Sequence, residues 1–388
     1  MKILILGYGK TGKELESLLS KENDVYVYDD IILDKENYLS LKKINKELPF
    51  FDYVIRSPGI SSKSKIYSLS SQLTNHLVSE IEFYNNYFKD KVIIGVTGTN
   101  GKTTLVTILN HILSFRYKVA VLGNIGETIS SNLERIKKSE ILIFELSSFM
   151  LEDTYSLRLD YGIITNLSKN HLDKVPFLSF YYASKLKLRS ISKNLYIDRK
   201  LKKYCYNRSY FVIDEIDAPM IFFDNKFNQN HFKIAYDIAI GLGIRKEDII
   251  LTMQSYKVPS FRNELTKLNN LYIVNDSKST SVESTNACLS IFKGKRRIII
   301  LGGIAKSGSF KKLKLNKDDI ILSFGRDRYK IVKEIGGIYF NTLKDVISYI
   351  KRIKDEVYIL FSPGCSSLDE YSSYVERGEI FDKLIQEK

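Results

Sequence analysis

The stretch GVTGTNGKTT, residues 95–104, decides how this sequence is interpreted. An apolar run at 92–96 leads into it, and a helical pattern at 103–114 follows it. A strand that passes through glycines into Lys-Thr at a helix start cradles phosphates with backbone N–H groups. Lys102 would neutralise the phosphates, and the Thr103 hydroxyl can hold Mg²⁺. The stretch therefore predicts a nucleoside triphosphate site in an α/β domain, and a bare structural turn is the alternative.

Strand-like and helical patterns alternate on both sides of this stretch, as is typical of doubly wound α/β domains. The length of 388 residues suits several domains. We predict three: a Rossmann-like N-terminal domain at 1–90, a central P-loop ATPase-like domain at 91–258, and a C-terminal Rossmann-like domain at 259–388.

A second glycine turn, GYGKTG at 7–12, fits the GxGxxG fingerprint of dinucleotide-binding domains. Asp29 and Asp30 close the next apolar run, and Asp29 lies 20 positions after Gly9, which is the spacing that the fingerprint expects. The pattern by itself indicates only a backbone that can approach a phosphate. It leaves open a dehydrogenase, another nucleoside diphosphate ligand and a glycine turn without a ligand.

The composition argues against several classes of protein. The net charge of +14 comes from lysines and arginines spread through the chain, which favours a solvated basic surface over a nucleic-acid site. The three cysteines lack CxxC spacing and do not predict zinc or a disulfide framework. No apolar run approaches the roughly 18 residues of a membrane span, and no export signal precedes the first strand. We expect a cytoplasmic protein with no nucleic-acid partner.

Two further polar residues follow apolar runs of the central region. Glu145 ends ILIFE, and His171 follows another strand in the same domain. Mg²⁺ prefers oxygen ligands, so Glu145 suits a metal near the phosphates. Taken singly, Glu145 could cap the next helix and His171 could be a surface turn residue. Their convergence with Thr103 at one sheet edge favours a metal site.

The motifs, taken in order, resemble those of the Mur ligase family. They are GTNGKTT, GNIG, ELSSF, NHLD, YYASKLKL, FRNE, NDSKST, GGIAKSG and SPGCSSLDEY, and they span all three predicted domains. SPGI, DSKST and SPGCSSLDEY are similar to the branch that adds D-glutamate.

The resemblance implies an ATP-dependent amide ligase that joins D-glutamate to UDP-N-acetylmuramoyl-L-alanine through an acyl phosphate. This reaction belongs to the cytoplasmic stage of peptidoglycan synthesis, on which cell shape and cell division depend. The implied cofactors are ATP and two Mg²⁺ ions, and the expected state is a monomer.

The resemblance also implies roles for individual residues. For the UDP-sugar they are Gly9, Thr11, Asp29, Asp30, Ser57, Pro58, Gly59 and Asn124. For ATP they are Gly98, Thr99, Asn100, Gly101, Lys102, Thr103, Thr104, Arg262 and Asp276. For D-glutamate they are Lys278, Thr280, Lys306, Ser367 and Tyr374. The implied metal ligands are Thr103, Glu145, His171 and Lys185, and the implied catalytic residues are Lys102, Glu145, His171 and Lys185. The GYGKTG turn would then face a uridine diphosphate and not NAD.

Lys185, in YYASKLKL, matches the lysine that the family carries as a carbamate. Carbamylation turns a cation into a carboxylate-like metal ligand. With Lys187 only two positions on, the residues alone favour an ordinary surface lysine, so this role rests on the resemblance.

The chain departs from the family pattern at three points. Phe261 replaces the usual histidine before Arg262, Asn170 replaces an acid before His171, and GGIAKS lacks an acidic residue. Four alternative functions are open: a ligase for another amino acid, a folylpolyglutamate synthase, a dehydrogenase, and a nucleotide-binding protein without turnover. The DNPR motif of the first alternative is absent from this chain.

Overall fold

The computed structural model is an α/β protein whose three sheets form three domains, which confirms the predicted fold class. The structure describes residues 1–124, 128–168, 177–206, 209–220, 226–305 and 309–387. The chain divides into two compact units, Met1–Tyr256 and Lys257–Lys388, and the first unit contains two of the sheets. The domain boundaries at 90 and 258 stay a prediction.

The first sheet is a short parallel sheet at the start of the chain. Its elements are β1 (Lys2–Leu6), α1 (Lys10–Leu19), β2 (Asp24–Tyr28), α2 (Leu41–Glu47), β3 (Tyr53–Arg56), α3 (Lys65–Leu73), β4 (Leu77–Ser79) and α4 (Glu80–Phe83), followed by the 3₁₀ helix Asn85–Phe88. The strand order is β2-β1-β3-β4. Strand β1 is apolar throughout its buried part because helices cover both faces of a parallel sheet.

The glycine turn at 7–12 differs in detail from the expectation. Helix α1 begins at Lys10, so the third glycine of the fingerprint, Gly12, lies inside the helix. A Cβ atom on Gly12 would lie 2.0 Å from the carbonyl oxygen of Gly7. Glycine at this position therefore lets the first turn of α1 pack directly against the end of β1.

The second sheet has six parallel strands. Its elements are β5 (Val92–Thr97), α5 (Lys102–Leu113), β6 (Val119–Gly123), the 3₁₀ helix Ser130–Asn132, α6 (Leu133–Lys138), β7 (Ile141–Glu145), α7 (Ser148–Glu152), β8 (Leu159–Ile164), α8 (Leu178–Leu186), α9 (Leu188–Ile191), β9 (Ser192–Ile197), the 3₁₀ helix Arg199–Tyr204, β10 (Phe211–Val212), the 3₁₀ helix Ile213–Glu215, α10 (Lys226–Gly241) and α11 (Lys246–Met253). The order is β10-β9-β8-β5-β7-β6. Strands β5, β7 and β8 therefore end side by side, and their carboxyl ends form the edge where open α/β sheets bind ligands.

The third sheet lies in the second unit. Its elements are β11 (Glu264–Leu268), β12 (Leu271–Asn275), α12 (Val282–Ile291), β13 (Arg297–Gly302), the 3₁₀ helix Phe310–Lys312, β14 (Ile320–Phe324), α13 (Arg328–Ile335), β15 (Ile338–Tyr339), α14 (Leu343–Ile350), β16 (Val357–Gly364) and α15 (Tyr374–Gln386). The order is β11-β12-β16-β13-β14-β15, and only β11 pairs antiparallel with its neighbour.

One apolar core runs from the first sheet into the second. It includes Ile3 and Val27 of the first sheet, Leu122 and Phe144 of the second, and Phe88 between them. The Phe88 and Phe144 ring centroids are 5.1 Å apart. The two sheets of the first unit are thus packed against each other through buried side chains. No helix among the described residues is long and apolar enough to cross a membrane.

Candidate active site

The phosphate loop lies between β5 and α5, where the sequence predicts it. Gly98 has a φ of +145° and Gly101 a φ of +85°, conformations that side chains disfavour. A Cβ atom on Gly98 would lie 2.0 Å from Thr165 Oγ1. The loop is held to the end of β8 because Thr165 Oγ1 donates to the Asn100 carbonyl at 2.7 Å, and the Asn100 N–H donates to Asn166 Oδ1 at 3.0 Å.

Helix α5 begins at Lys102 with Gly101 as its N-cap, and no side chain caps this helix start. Its first backbone N–H groups are therefore oriented to accept an anion, and the helix dipole favours one. The Lys102 side chain folds over the loop, where Nζ donates to the carbonyl oxygens of Gly98 at 3.0 Å and Thr99 at 3.2 Å. A cation thus lies beside the loop that would hold phosphates.

Glu145 is the centre of the polar cluster at this sheet edge. It ends β7 and is only 2% exposed. Its Oε2 accepts from Thr103 Oγ1 at 2.9 Å, and its Oε1 accepts from Asn124 Nδ2 at 3.0 Å. The structure therefore brings together Thr103 in the first turn of α5, Glu145 at the end of β7 and Asn124 just after β6. His171 lies outside the described residues.

The structure rejects the alternative that Glu145 caps the following helix. The N-cap of α7 is Ser147, whose side chain accepts from the Met150 N–H at 3.2 Å. Glu145 lies two residues before that cap and bonds to Thr103 and Asn124 instead. Its carboxylate is therefore available to the site at the phosphate loop.

Lys185 lies on α8 and is 2% exposed, so the interpretation as a surface lysine is wrong. Its Nζ donates to the Gly98 carbonyl at 3.0 Å and lies 3.4 Å from Thr97 Oγ1. Burial lowers the pKa of Lys185 well below its usual value, and the nearby Lys102 lowers it further, while Glu145 opposes both effects. The site therefore favours a neutral amine at the base of the phosphate loop.

The predicted UDP-sugar residues of the first sheet surround the first glycine turn. Asp29 accepts from the backbone N–H groups of Tyr8 at 2.6 Å and Ile31 at 3.0 Å. Ser57 Oγ donates to the Gly7 carbonyl at 3.1 Å. Asp30 Oδ1 accepts from Tyr28 OH at 2.8 Å. Asp29 and Ser57 therefore shape the turn itself.

The other predicted residues of this group are at or near the surface. Gly9, Asp30, Gly59 and Asn124 are exposed, and Thr11 and Pro58 are half-buried.

A polar network beside this turn was missed by the sequence analysis. Lys35 Nζ lies 2.5 Å from Glu16 Oε2 and also bonds Tyr8 OH, and Asn37 Nδ2 donates to Glu16 Oε1 at 2.6 Å. Burial raises the pKa of Glu16, but the hydrogen bonds from Lys35, Tyr8 and Asn37 outweigh it, and the net pKa is lowered. No spacing motif links these residues, so no sequence signal could have found them.

In the second unit, Asp276 follows β12 and is buried. Its Oδ2 accepts from Ser279 Oγ at 2.5 Å and from Ser362 Oγ at 2.8 Å. Burial raises the pKa of Asp276 to about 6, and the two serine hydrogen bonds and the charge of Arg262 oppose that rise. Arg262 and Asp276, both predicted to contact ATP, are therefore electrostatically coupled.

Phe261, the departure from the family histidine, has a structural role. Its side chain is buried, and a Cβ atom on Gly378 would lie 2.4 Å from its ring. Phe261 and Asn263, on either side of Arg262, both have positive φ angles, of 63° and 54°. The backbone around Arg262 is therefore held in a strained conformation by its surroundings.

The predicted D-glutamate residues are partly brought together within the second unit. Lys278 Nζ lies 3.9 Å from the centre of the Tyr374 ring. Ser367 is buried and Thr280 is half-buried, while Lys306 lies outside the described residues.

The buried residue Arg377 was not predicted. It donates from Nη2 to the Ser277 carbonyl at 2.8 Å and from Nη1 to the Cys365 carbonyl at 3.1 Å. Burial lowers its pKa to about 10. Arg377 thus ties together the ends of β12 and β16, the strands that lead into NDSKST and SPGC.

Comparison with known proteins identifies the family. The Mur ligase middle domain matches residues 96–239. A protein of Buchnera aphidicola subsp. Schizaphis graminum is 33% identical over 100% of this chain and 98% of its own length. The chain belongs to the Mur ligase family, which confirms the resemblance. That relative is named UDP-N-acetylmuramoylalanine–D-glutamate ligase, and a Francisella philomiragia protein of the same name is 31% identical over 100% of this chain and 97% of its own length.

Solved structures share the fold. The MurF ligase of Thermotoga maritima in complex with ADP has a TM-score of 0.60 at 15% identity, and the match covers 99% of this chain and 93% of the ligase. A pseudomurein peptide ligase type C from Methanothermus fervidus has a TM-score of 0.61 at 18% identity, with 99% and 100% covered. At these identities the likeness concerns the fold alone.

Proposed function

We propose that this chain is an ATP-dependent ligase that adds D-glutamate to UDP-N-acetylmuramoyl-L-alanine, in the cytoplasmic stage of peptidoglycan synthesis. The observation that carries the proposal is the cluster of Lys102, Thr103, Glu145 and Lys185 around one phosphate loop. The full-length relatives, whose shared name states this activity, support it. ATP, the UDP-sugar and D-glutamate are the proposed partners of a monomeric enzyme that has no nucleic-acid partner.

The reaction has two steps. The alanine carboxylate of the UDP-sugar attacks the γ-phosphorus of ATP, and the bond between this phosphorus and the β-phosphate oxygen breaks. ADP departs, and the UDP-sugar now carries an acyl phosphate. The neutral amine of D-glutamate then attacks the acyl carbon, the acyl carbon–oxygen bond breaks, phosphate departs with that electron pair and the nitrogen's proton, and an amide forms. Two anions meet in the first step, so the positive charge of Lys102 and the backbone N–H groups of residues 98–104 stabilise the charge that builds up.

Thr103 and Glu145 fit a Mg²⁺ site. They present a hydroxyl and a carboxylate only 2.9 Å apart beside the phosphate loop, and oxygen donors are the ligands that Mg²⁺ prefers. Bound there, Mg²⁺ would offset the negative charge of the phosphate oxygens. We assign Thr103, Glu145 and His171, together with Lys185 as a carbamate, to two such ions.

Lys185 fits a carbamylated lysine. Its burial and lowered pKa favour the neutral amine, whose nitrogen lone pair can attack CO₂. The N–C bond forms as one C=O π bond of CO₂ breaks onto oxygen, the nitrogen releases a proton to solvent, and the resulting carbamate is an anion beside Lys102. A lysine that stayed cationic would add a second positive charge to a buried site at a large cost in free energy.

The remaining assignments follow the family pattern. Within the first unit, the UDP-sugar contacts are Gly9, Thr11, Asp29, Asp30, Ser57, Pro58, Gly59 and Asn124. Within the second unit, Arg262 and Asp276 contribute to ATP, and the D-glutamate contacts are Lys278, Thr280, Lys306, Ser367 and Tyr374.

Phosphate release tests the function. Purified protein is supplied with ATP, Mg²⁺, UDP-N-acetylmuramoyl-L-alanine and single amino acids, including both glutamate enantiomers. We expect release that depends on D-glutamate. Release with a different amino acid would move the chain to another branch of the family, and no release with any amino acid would favour a nucleotide-binding protein without turnover.

A further inference from the structure

A buried ion cluster joins the first and second sheets. Arg56 is the last residue of β3 and directly precedes the Ser57–Pro58–Gly59 turn. Its side chain is 1% exposed, and the side chains of its partners Glu152 and Asp153 are 2% and 1% exposed. The proposed function uses none of these three charged side chains.

A single guanidinium contacts both carboxylates. Arg56 Nη2 lies 2.6 Å from Glu152 Oε2, and Arg56 Nε lies 2.6 Å from Asp153 Oδ2. The second contact has the distance of an ion pair but not the angle of a hydrogen bond, since Asp153 Oδ2 has no hydrogen-bond partner among the described residues. Ser62 Oγ also donates to Glu152 Oε2 at 2.5 Å, and Tyr67 OH donates to Asp153 Oδ1 at 3.2 Å.

Lys187 brings a second positive charge to the cluster from the end of α8. Its Nζ donates to the carbonyl oxygens of Leu151 at 2.7 Å, Glu152 at 2.9 Å and Thr154 at 2.9 Å. These carbonyls lie at and just beyond the carboxyl end of α7, where a cation also complements the helix dipole. Arg56, Glu152, Asp153 and Lys187 together form the ion cluster, with two acidic and two basic side chains.

Burying three charges beside a half-buried fourth is not the most stable way to pack two sheets together. Apolar residues of similar volume often pack as well or better, whereas a buried ion cluster holds its partners in defined directions. Three of its members, Arg56, Glu152 and Lys187, lie close in sequence to parts of the proposed active site. Arg56 precedes the Ser57–Pro58–Gly59 turn, Glu152 ends the helix that follows Glu145, and Lys187 lies two residues after Lys185.

We propose that Arg56, Glu152 and Lys187 are positioning residues, which hold the Ser57–Pro58–Gly59 turn in a fixed place relative to the phosphate loop. This inference rests on the proposed function, because a UDP-sugar bound at the turn must bring its carboxylate to the γ-phosphorus. A small displacement of the turn would then weaken the UDP-sugar site and misalign the attack. Such misplacements cost up to about 100-fold in rate even far from the chemistry.

The test is Arg56→Lys, which keeps the charge but loses the fork that serves two carboxylates. Phosphate release measures kcat and KM for each substrate, and calorimetry measures the affinities for ADP and for the UDP-sugar. We expect KM and Kd for the UDP-sugar to rise about 10-fold, with ADP affinity changed less than about 2-fold. Lys187→Met should also raise KM and Kd for the UDP-sugar.

Arg297→Lys is the matched control. Arg297 forms an equally buried pair with Asp319, at 2.5 Å, in the second unit. We expect a similar drop in melting temperature without a change in Kd for the UDP-sugar. If Arg56→Lys lowers the melting temperature but leaves the UDP-sugar values unchanged, or weakens ADP binding equally, the cluster only stabilises the fold and the proposal is wrong.

The binding measurements distinguish failure of the positioning role from failure of the proposed function. If Arg56→Lys does not fold, the test uses the double variant Arg56→Gln with Asp153→Asn, which removes one charge of each sign. We expect this variant to raise KM and Kd for the UDP-sugar in the same way. If the wild-type protein binds the UDP-sugar but releases no phosphate, the proposed function fails, and the Kd of the variants still decides the positioning role. If the wild-type protein does not bind the UDP-sugar, the positioning proposal is overturned with it.

Discussion

Lys185 Nζ lies 3.0 Å from the carbonyl oxygen of Gly98, although 87 residues separate the two along the chain. The contact buries an amine under the loop that would hold the phosphates of ATP. Burial lowers the pKa of Lys185 and the nearby cation Lys102 lowers it further, so the amine is favoured in its neutral form. This relationship underlies the first prediction.

Replacing Lys185 by arginine should abolish ligase activity, with a loss of about 100-fold or more in phosphate release. Arginine keeps its charge in the buried site and cannot form a carbamate. Lys193→Arg, at an exposed position on β9, is the control and should retain activity.

Bicarbonate tests the carbamate separately. The lowered pKa of Lys185 keeps its free amine neutral. Acid protonates the carbamate nitrogen, the N–C bond breaks, and CO₂ leaves. We expect wild-type activity to fall as the pH is lowered and added bicarbonate to restore part of it. Activity that ignores bicarbonate at every pH would count against carbamylation.

The Glu145→Gln substitution should raise the half-saturating Mg²⁺ concentration about 10-fold or more. Glutamine keeps an oxygen that can accept from Thr103, but it loses the negative charge. A magnesium titration of phosphate release measures the effect. Glu140→Gln is the control. Glu140 lies just before the start of β7, away from the phosphate loop, and its carboxylate accepts from the Lys118 N–H at 2.9 Å, so the magnesium titration of this variant should match that of the wild type.

The Gly98→Ala substitution should impair ATP binding. The added methyl group would meet Thr165 Oγ1 at 2.0 Å on a backbone with a φ of +145°, so the loop must move. We expect KM for ATP to rise about 10-fold or more, because the loop N–H groups would no longer converge on the phosphates.

Gly241→Ala is the matched control for the loop. Gly241 ends α10, and its added methyl group would have Tyr161 OH as its nearest neighbour at 3.6 Å. Alanine in a helix is favourable by up to about 1 kcal/mol relative to glycine. An unchanged KM for ATP in Gly98→Ala would show that the loop conformation is not required for nucleotide binding.

Asp276 should make the stability of the second unit depend on pH. Its folded pKa of about 6 lies above that of an unfolded aspartate. The stabilising contribution of Asp276 to the free energy of unfolding is therefore fully present below about pH 4 and is lost as the pH rises through about 6. The difference corresponds to about 3 kcal/mol in the free energy of unfolding.

Hydrogen exchange of the β12 and β16 amides measures this effect. The wild-type protein should lose protection relative to Asp276→Asn between pH 4 and pH 7, after correction for intrinsic exchange. Asp318→Asn, at an exposed position, should track the wild type. A constant difference between wild type and Asp276→Asn across this range would contradict the raised pKa.

Local sequence was enough to predict the alternating fold, the phosphate loop and the place of Glu145. Each of these depends on residues within about 15 positions, where glycines, apolar runs and a polar strand end have direct conformational meaning. The fingerprint spacing alone did not place the start of α1, where Gly9 serves as the N-cap and Gly12 packs inside the helix.

The sequence by itself thus determined where phosphates can bind and which family the chain resembles. Only the tertiary structure decided that Lys185 is buried and that Arg56 meets Glu152, which lies 96 residues further along the chain. Burial and ion pairing depend on which helix packs against which strand end, and no local pattern encodes those contacts. The same lysine-rich segment carries Lys185 in the site and Lys187 in the ion cluster because side chains two positions apart at a helix end point in nearly opposite directions and meet different neighbours.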